Sequence, residues 1–275
     1  MLTVLIGVKN EIDHIERCLE PLYGWAHQII VIDSNSTDGT AEYLNSKDLD
    51  YVNFDWNGRW PKKRQWALDN VQITGDWVLL LDADEILTNE FKREVDGIIK
   101  NPKADGYLVP FDVVFLDKKL RYGDSRLYKL ALFKRGSAGY VQRIDNDDNN
   151  LDMEVHEHVA LSNGNTPAKI DSPVKHYSVH SVKRILDKYN DYSDWEVKVF
   201  NEQLNLNGLG KQASIRRLLK KKFLMAPFSD IGYFVYLYVI RLGILDGISG
   251  YHRARLQSQQ IYMIKLKLLE SKRKN

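Results

Sequence analysis

Apolar residues run almost unbroken from Leu2 to Val8, a length and density that predict a buried strand. From Glu11 to Leu22 the apolar positions Ile12, Ile15, Leu19 and Leu22 fall three and four residues apart, the spacing of an amphipathic helix. Gln28 to Ile32 predicts a second buried strand ending at Asp33, and the polar turn Ser34-Asn35-Ser36-Thr37-Asp38-Gly39 leads into a short helix from about Thr40. Tyr51 to Phe54 predicts a third strand. Pro61 suits the first turn of a helix carrying Lys62, Lys63, Arg64 and Gln65, and Trp77 to Leu81 predicts a fourth strand that ends in Asp82-Ala83-Asp84-Glu85. This alternation points to an α/β fold: a mostly parallel central sheet with helices on both faces. After Asn101-Pro102 the pattern changes. Gly106 to Phe115, Leu130 to Lys134 and Val155 to Leu161 predict later strands and hairpins, and from Ser181 the positions Val182, Ile185, Leu186 and Tyr189 predict a helix. The chain therefore divides into an α/β domain over 1–180, with halves 1–100 and 101–180, and a helical extension over 181–275.

Composition changes this picture little. With 275 residues, 44% of them hydrophobic and 28% charged, the chain is an ordinary folded protein with one large domain and an appendage. Cys18 is its only cysteine, so no internal disulfide forms, and its place in a predicted amphipathic helix favours a packed thiol. Met1 leads straight into the first strand, with neither a basic start nor a long apolar core, so no export signal is expected. Charge changes it more. The net +2 conceals a tail from Lys211 with 14 Lys and Arg against 3 Asp and Glu, behind a body with 25 against 34. Such a tail suits nucleic acid or anionic lipid.

In sheets of this kind ligands collect beyond the carboxyl ends of the strands. Lys9-Asn10-Glu11, Asp33 and Asp82-Ala83-Asp84 all stand at predicted strand ends. Paired carboxylates there suit a hard divalent cation whose remaining positions are filled by phosphate oxygens; the alternative is an acidic cap for the helix after Thr88. Three stretches carry a resemblance. Val8-Lys9-Asn10-Glu11, Val31-Ile32-Asp33-Ser34-Asn35-Ser36-Thr37-Asp38-Gly39-Thr40 and Leu81-Asp82-Ala83-Asp84-Glu85 closely resemble the successive nucleotide-sugar motifs of family 2 glycosyltransferases with the GT-A fold. The resemblance implies transfer from a nucleotide-sugar donor, with a UDP-sugar as first candidate, and dependence on Mn²⁺ or Mg²⁺. It implies Glu11 and Asp33 near base and ribose, Asp82 toward ribose and metal, and Asp84 as the main metal ligand. Lys9, Asn10 and Ala83 complete the motifs. Lys63 and Arg64 occupy the stretch where the family places a cation near the donor, or are simply solvated helix charges; Gln65 and Trp66 follow as in the family.

In the second half, Glu154, His156 and His158 share one face of a predicted strand and Glu157 the other. Val155-His156-Glu157 resembles a Val-His-Glu signature of the family 2 enzymes that build bacterial lipopolysaccharide core and related surface glycans. An inverting transfer needs a base for the acceptor hydroxyl, for which Glu157 is the first candidate and Glu154 the second. His176 is a candidate third metal ligand, as late histidines are in the fold family, or a hydrogen-bonded structural histidine. Arg126, Lys134 and Arg135 are candidates for phosphate contact or surface charges.

The tail holds Arg216, Arg217, Lys220, Lys221 and Lys222, then an aromatic and aliphatic stretch to Ile240. Ten apolar residues from Ile231 do not span a bilayer, which takes about 20, but beside a basic run they suit an interfacial anchor. The expected partners are then a glycan or lipid-linked acceptor and a membrane surface rather than nucleic acid, with the protein cytoplasmic and peripheral at the inner face of the cell membrane. A packed helix pair or a homo-oligomer interface is the alternative use of the tail. Two other functions compete: a sugar nucleotidyltransferase, against which stands the lack of a glycine-rich phosphate loop, and a non-catalytic nucleic-acid-binding or scaffold protein, against which stands the lack of any groove-reading module.

Overall fold

The computed structural model describes residues 1–47, 49, 51–142, 158–179, 181–201 and 222–274. They form two compact units, Met1–Val113 with Arg126–Ser178, and Val114–Ser125 with Val179–Asn275.

The first unit is built as its apolar pattern requires. Strands β1 (Leu2–Val8), β2 (Gln28–Asp33), β3 (Tyr51–Asn53) and β4 (Trp77–Asp82) alternate with helices α1 (Ile12–Leu19), α2 (Thr40–Ser46) and α3 (Lys63–Asn70). Short β5 (Glu85–Ile86) and helix α4 (Asn89–Lys100) follow. Next come β6 (Gly106–Phe115), β8 (Arg126–Lys134), β9 (Ala138–Tyr140), β10 (Val159–Leu161), β11 (Ala168–Lys169) and β12 (Val174–Val179), while β7 (Lys118–Lys119), paired with Val114 and Phe115, falls in the second unit. The main sheet runs β3-β2-β1-β4-β8-β6-β12-β5. Its first four strands are parallel, and β8 enters antiparallel to both β4 and β6. This is the expected GT-A arrangement, with antiparallel pairing introduced by strands from the second half of the chain, β8 beside β4 and β12 beside β5.

Successive side chains on a strand face opposite sides, and each side finds its own layer. Leu2, Val4, Ile6 and Val8 of β1, with Leu79 and Leu81 of β4, pack with Ile15, Leu44, Phe91 and Val95 from α1, α2 and α4. Leu5, Ile30, Ile32, Val78 and Leu80 face the other way, onto Phe54 and Ala67. Helices therefore cover both faces. Helix α3 starts at Lys63, later than Pro61 suggests; Pro61 follows a cis peptide bond from Trp60 and precedes the helix. The Thr88 hydroxyl caps α4 by accepting the Phe91 N–H at 3.2 Å.

The second unit is helical: α5 (Val182–Asn201), α6 (Ser229–Val235) continuing as a π-turn to Ile240, and α7 (Gly247–Lys274). Leu224, Ile264 and Leu268 form a buried cluster in it, with partly buried Val197 and Phe200 packed against them. The segment Val114–Ser125 belongs here too, because Asp246 accepts the N–H groups of Arg121 and Tyr122 at 3.1 and 2.9 Å and Lys118 donates to the Asp246 carbonyl at 2.7 Å.

Candidate active site

Three loops meet at the carboxyl ends of β1, β2 and β4. Asn10 turns the chain out of β1 with a left-handed backbone, φ 57°, which asparagine tolerates better than most residues. Its side-chain oxygen accepts the Thr37 N–H at 2.7 Å, and its own N–H donates to the Ser36 hydroxyl at 2.8 Å. Glu11 N–H donates to the Thr40 hydroxyl at 2.9 Å, and Ile12 N–H to the Asp38 carboxylate at 3.1 Å. The turn after β2 is thus tied to the turn after β1. Asp33, buried at the end of β2, accepts from both the N–H and the hydroxyl of Ser36. Burial works to raise the Asp38 carboxyl, but the Thr40 hydroxyl and the N–H groups of Ile12 and Thr40 outweigh it and hold the pKa below its ordinary 3.8.

Lys62, Lys63 and Arg64 are buried rather than solvated. The Lys63 ammonium donates to the Val8 carbonyl at 2.7 Å, and a Cβ on Gly7 would lie 3.2 Å from the Lys63 side chain, so the glycine lets this cation lie against β1. Arg64 pairs with the Asp82 carboxylate. Gln65 accepts the Tyr140 N–H at 2.7 Å, and Trp66 packs on Phe54. Lys9 is exposed; the Ala83 side chain lies in the core, which leaves its backbone as what it can offer a ligand.

At the end of β4 the carboxylates divide. Asp82 is held between Arg64 and Lys129, the latter at 3.1 Å. Glu85, 1% exposed, accepts from Lys129 at 2.6 Å and from the Asp82 N–H at 2.9 Å. Asp84 faces His176, 3.3 Å from its Nε2. Pairing of β12 with β5 sets His176 opposite Glu85, and Tyr177 N–H donates to the Asp84 carbonyl at 2.9 Å. Ligand atoms of Asp84, Glu85 and His176 consequently lie within 4.8 Å of one another. His176 Nδ1 is buried with no hydrogen-bond partner among the described residues. Two carboxylates and an imidazole fit a divalent cation. Of the three expected ligands, Asp84 and His176 come together, whereas Asp82 is engaged by two cations and Glu85 stands in the cluster. Glu85 and Lys129 are additions that sequence reasoning missed. Glu85 was visible as the residue after Asp84, but nothing in the run Tyr128-Lys129-Leu130 marks that lysine.

Glu154, Val155, His156 and Glu157 lie outside the described residues. His158 is exposed, its carbonyl accepting the Val141 N–H at 3.1 Å at the mouth of the β9–β10 hairpin. Arg126 pairs with Asp112, Lys134 with Asp105, and Arg135 donates to the Ile73 carbonyl.

Comparison with known proteins gives the family. Residues 3–163 match the model of Glycosyl transferase family 2. An uncharacterized glycosyltransferase of Rickettsia bellii is 25% identical over 91% of this chain and 80% of its own. The lipopolysaccharide core biosynthesis glycosyltransferase LpsC of Rhizobium meliloti is 25% identical over 70% and 68%. Among solved structures, the mannosyltransferase PcManGT of Pyrobaculum calidifontis, in complex with GDP-Man and Mn²⁺, is similar with a TM-score of 0.49 and 15% identity, over 98% of this chain and 86% of that one. S. aureus TarS in complex with UDP is similar with a TM-score of 0.46 and 13% identity, over 100% and 92%. The chain belongs to glycosyl transferase family 2 and is a glycosyltransferase.

Proposed function

We propose that the protein transfers a sugar from a nucleotide-sugar donor, a UDP-sugar first, to a hydroxyl of a glycan or lipid-linked acceptor, with inversion at the anomeric carbon and dependence on Mn²⁺ or Mg²⁺. The observation that carries this reading is the cluster of Asp84, Glu85 and His176 beside the tied loops at the ends of β1 and β2. A divalent ion held by these residues would offset diphosphate charge and help the leaving group depart. An imidazole in the set favours Mn²⁺ over Mg²⁺.

The chain's own groups have separate parts in this scheme. The stitched loops around Asn10, Glu11 and Asp33 give the nucleoside a rigid edge. Arg64 and Lys129 hold Asp82 in one orientation and add positive charge for a diphosphate. In the displacement, the acceptor oxygen bonds to the anomeric carbon as the bond to the diphosphate breaks. The acceptor proton passes to a carboxylate, for which Glu157 is proposed first and Glu154 second. Likeness to LpsC, whose name refers to lipopolysaccharide core biosynthesis, supports a place in bacterial surface-polysaccharide or lipopolysaccharide assembly. The basic run around Arg216, Arg217, Lys220, Lys221 and Lys222 supports a peripheral position on the cytoplasmic face of a membrane.

Calorimetry tests the metal-dependent part. UDP should bind in the presence of Mn²⁺ and lose most of that affinity in EDTA, and Asp84→Ala should abolish the difference while the melting curve stays cooperative. Equal UDP affinity with Mn²⁺ and with EDTA would overturn metal dependence.

A further inference from the structure

The stretch from Phe223 to Ile248 contains only three charged residues, Asp230, Arg241 and Asp246. Both carboxylates are drawn inward. Asp230 faces the Lys265 ammonium at 3.5 Å, and Asp246 is 4% exposed with its oxygens on the N–H groups of Arg121 and Tyr122. What remains outside is apolar: Phe228, Ile231, Val239, Ile240, Leu245 and Ile248 are all more than half exposed, up to 72% at Phe228. So many exposed large apolar side chains within one short stretch are unusual on a protein that meets only water.

Its backbone is shaped to present it. The helical stretches Ser229–Ile240 and Gly243–Arg273 meet at a 70° bend. Phe228 and Leu242, at the two turns, have φ values of 55° and 59°, left-handed backbone that residues with a Cβ disfavour. Both turn an exposed apolar side chain outward. The first arm is roughly 18 Å long at 1.5 Å per residue, against a hydrocarbon core of about 30 Å. By itself this arm is too short to cross.

We propose that this bent corner, Phe228 to Ile248, inserts into the acyl boundary of an anionic leaflet. The inference deepens the peripheral-membrane part of the functional reading above and rests on it. Charge selects lipid over a second copy of the chain. The corner's exposed charge is Arg241, whose guanidinium lies 3.4 Å from the Tyr236 hydroxyl, and the five cations from Arg216 to Lys222 immediately precede the stretch. A self-complementary contact through this face would bring like charges together. An anionic leaflet meets them with headgroups, leaves tyrosine at the boundary and takes the aliphatic side chains below it.

The full chain carrying Leu245→Cys tests this. Cys18 is fully buried and burial pushes its thiol pKa up, so the new thiol takes an environment-sensitive fluorophore. With vesicles of phosphatidylglycerol and phosphatidylcholine, the label should shift to the blue and be quenched by nitroxides on the acyl chains. The same label at Tyr23→Cys, exposed on the first unit, should not respond. Ile248→Glu should weaken vesicle binding roughly tenfold or more with UDP binding unchanged. If the protein sediments with vesicles while the 245 label stays in water, insertion is overturned and docking through the basic run stands. If it does not sediment at low salt, both fall. A blue shift that appears without lipid and grows with protein concentration would assign the face to a second copy and overturn the proposal.

Discussion

Asp38 is an exposed carboxylate with a structural task. It holds the loop after β2 through the N–H groups of Ile12 and Thr40 and the Thr40 hydroxyl. Its pKa in the folded chain lies below its ordinary 3.8, so its contribution to stability is present above that value and fades as pH falls through the folded pKa. Asp38→Asn should therefore lower the melting temperature at neutral pH and lose that effect toward pH 3; equal losses at both pH values would show that the charge is not what matters. Glu157 is expected to act on the reaction and not on the fold. Glu157→Gln should cut turnover by about 10² to 10⁴ while UDP affinity stays constant, and a parallel loss of both would make it a binding or structural residue. If Glu154→Gln gives that phenotype instead, the two exchange roles.

At the scale of elements, the site depends on strands from the second half of the chain reaching the end of β4. Strand β8 supplies Lys129 to Asp82 and Glu85, and β12 supplies His176 to Asp84. Lys129→Met would leave the Glu85 carboxylate buried without that cation, at a cost of about 1–3 kcal/mol. If Glu85 belongs to a metal site, Mn²⁺ should restore much of the lost melting temperature. A destabilised variant indifferent to Mn²⁺ would count Glu85 as purely structural.

At the scale of the whole molecule, the units do not follow the linear order of the chain. Val114–Ser125 lies between β6 and β8 yet belongs with the helices, bound through Asp246. A chain ending at Ser178 would lose only Val179, the last residue of β12, from the sheet but leave the Arg121 and Tyr122 N–H groups without that carboxylate. Unpaired donors and apolar surface in the same segment should lower the melting temperature and make the fragment bind a hydrophobic dye. A fragment that melts as sharply and as high as the full chain would show that the two units are independent.

The sequence by itself determined the parallel half of the sheet and the loops at its edge. Apolar runs, helical spacing and turn residues act locally, and the motifs from Lys9 to Asp84 fall on that local pattern. It also named Asp84 and His176. Only tertiary structure set His176 opposite Glu85, brought Lys129 to Asp82, buried Lys62, Lys63 and Arg64, and assigned Val114–Ser125 to the helices. Each of these depends on strand register or packing between segments distant in the chain, where a short antiparallel pair such as β5 and β12 leaves no periodicity to read. The turned-in carboxylates of Asp230 and Asp246 belong to the same class: in sequence they interrupt an apolar stretch, and folding removes them from its surface.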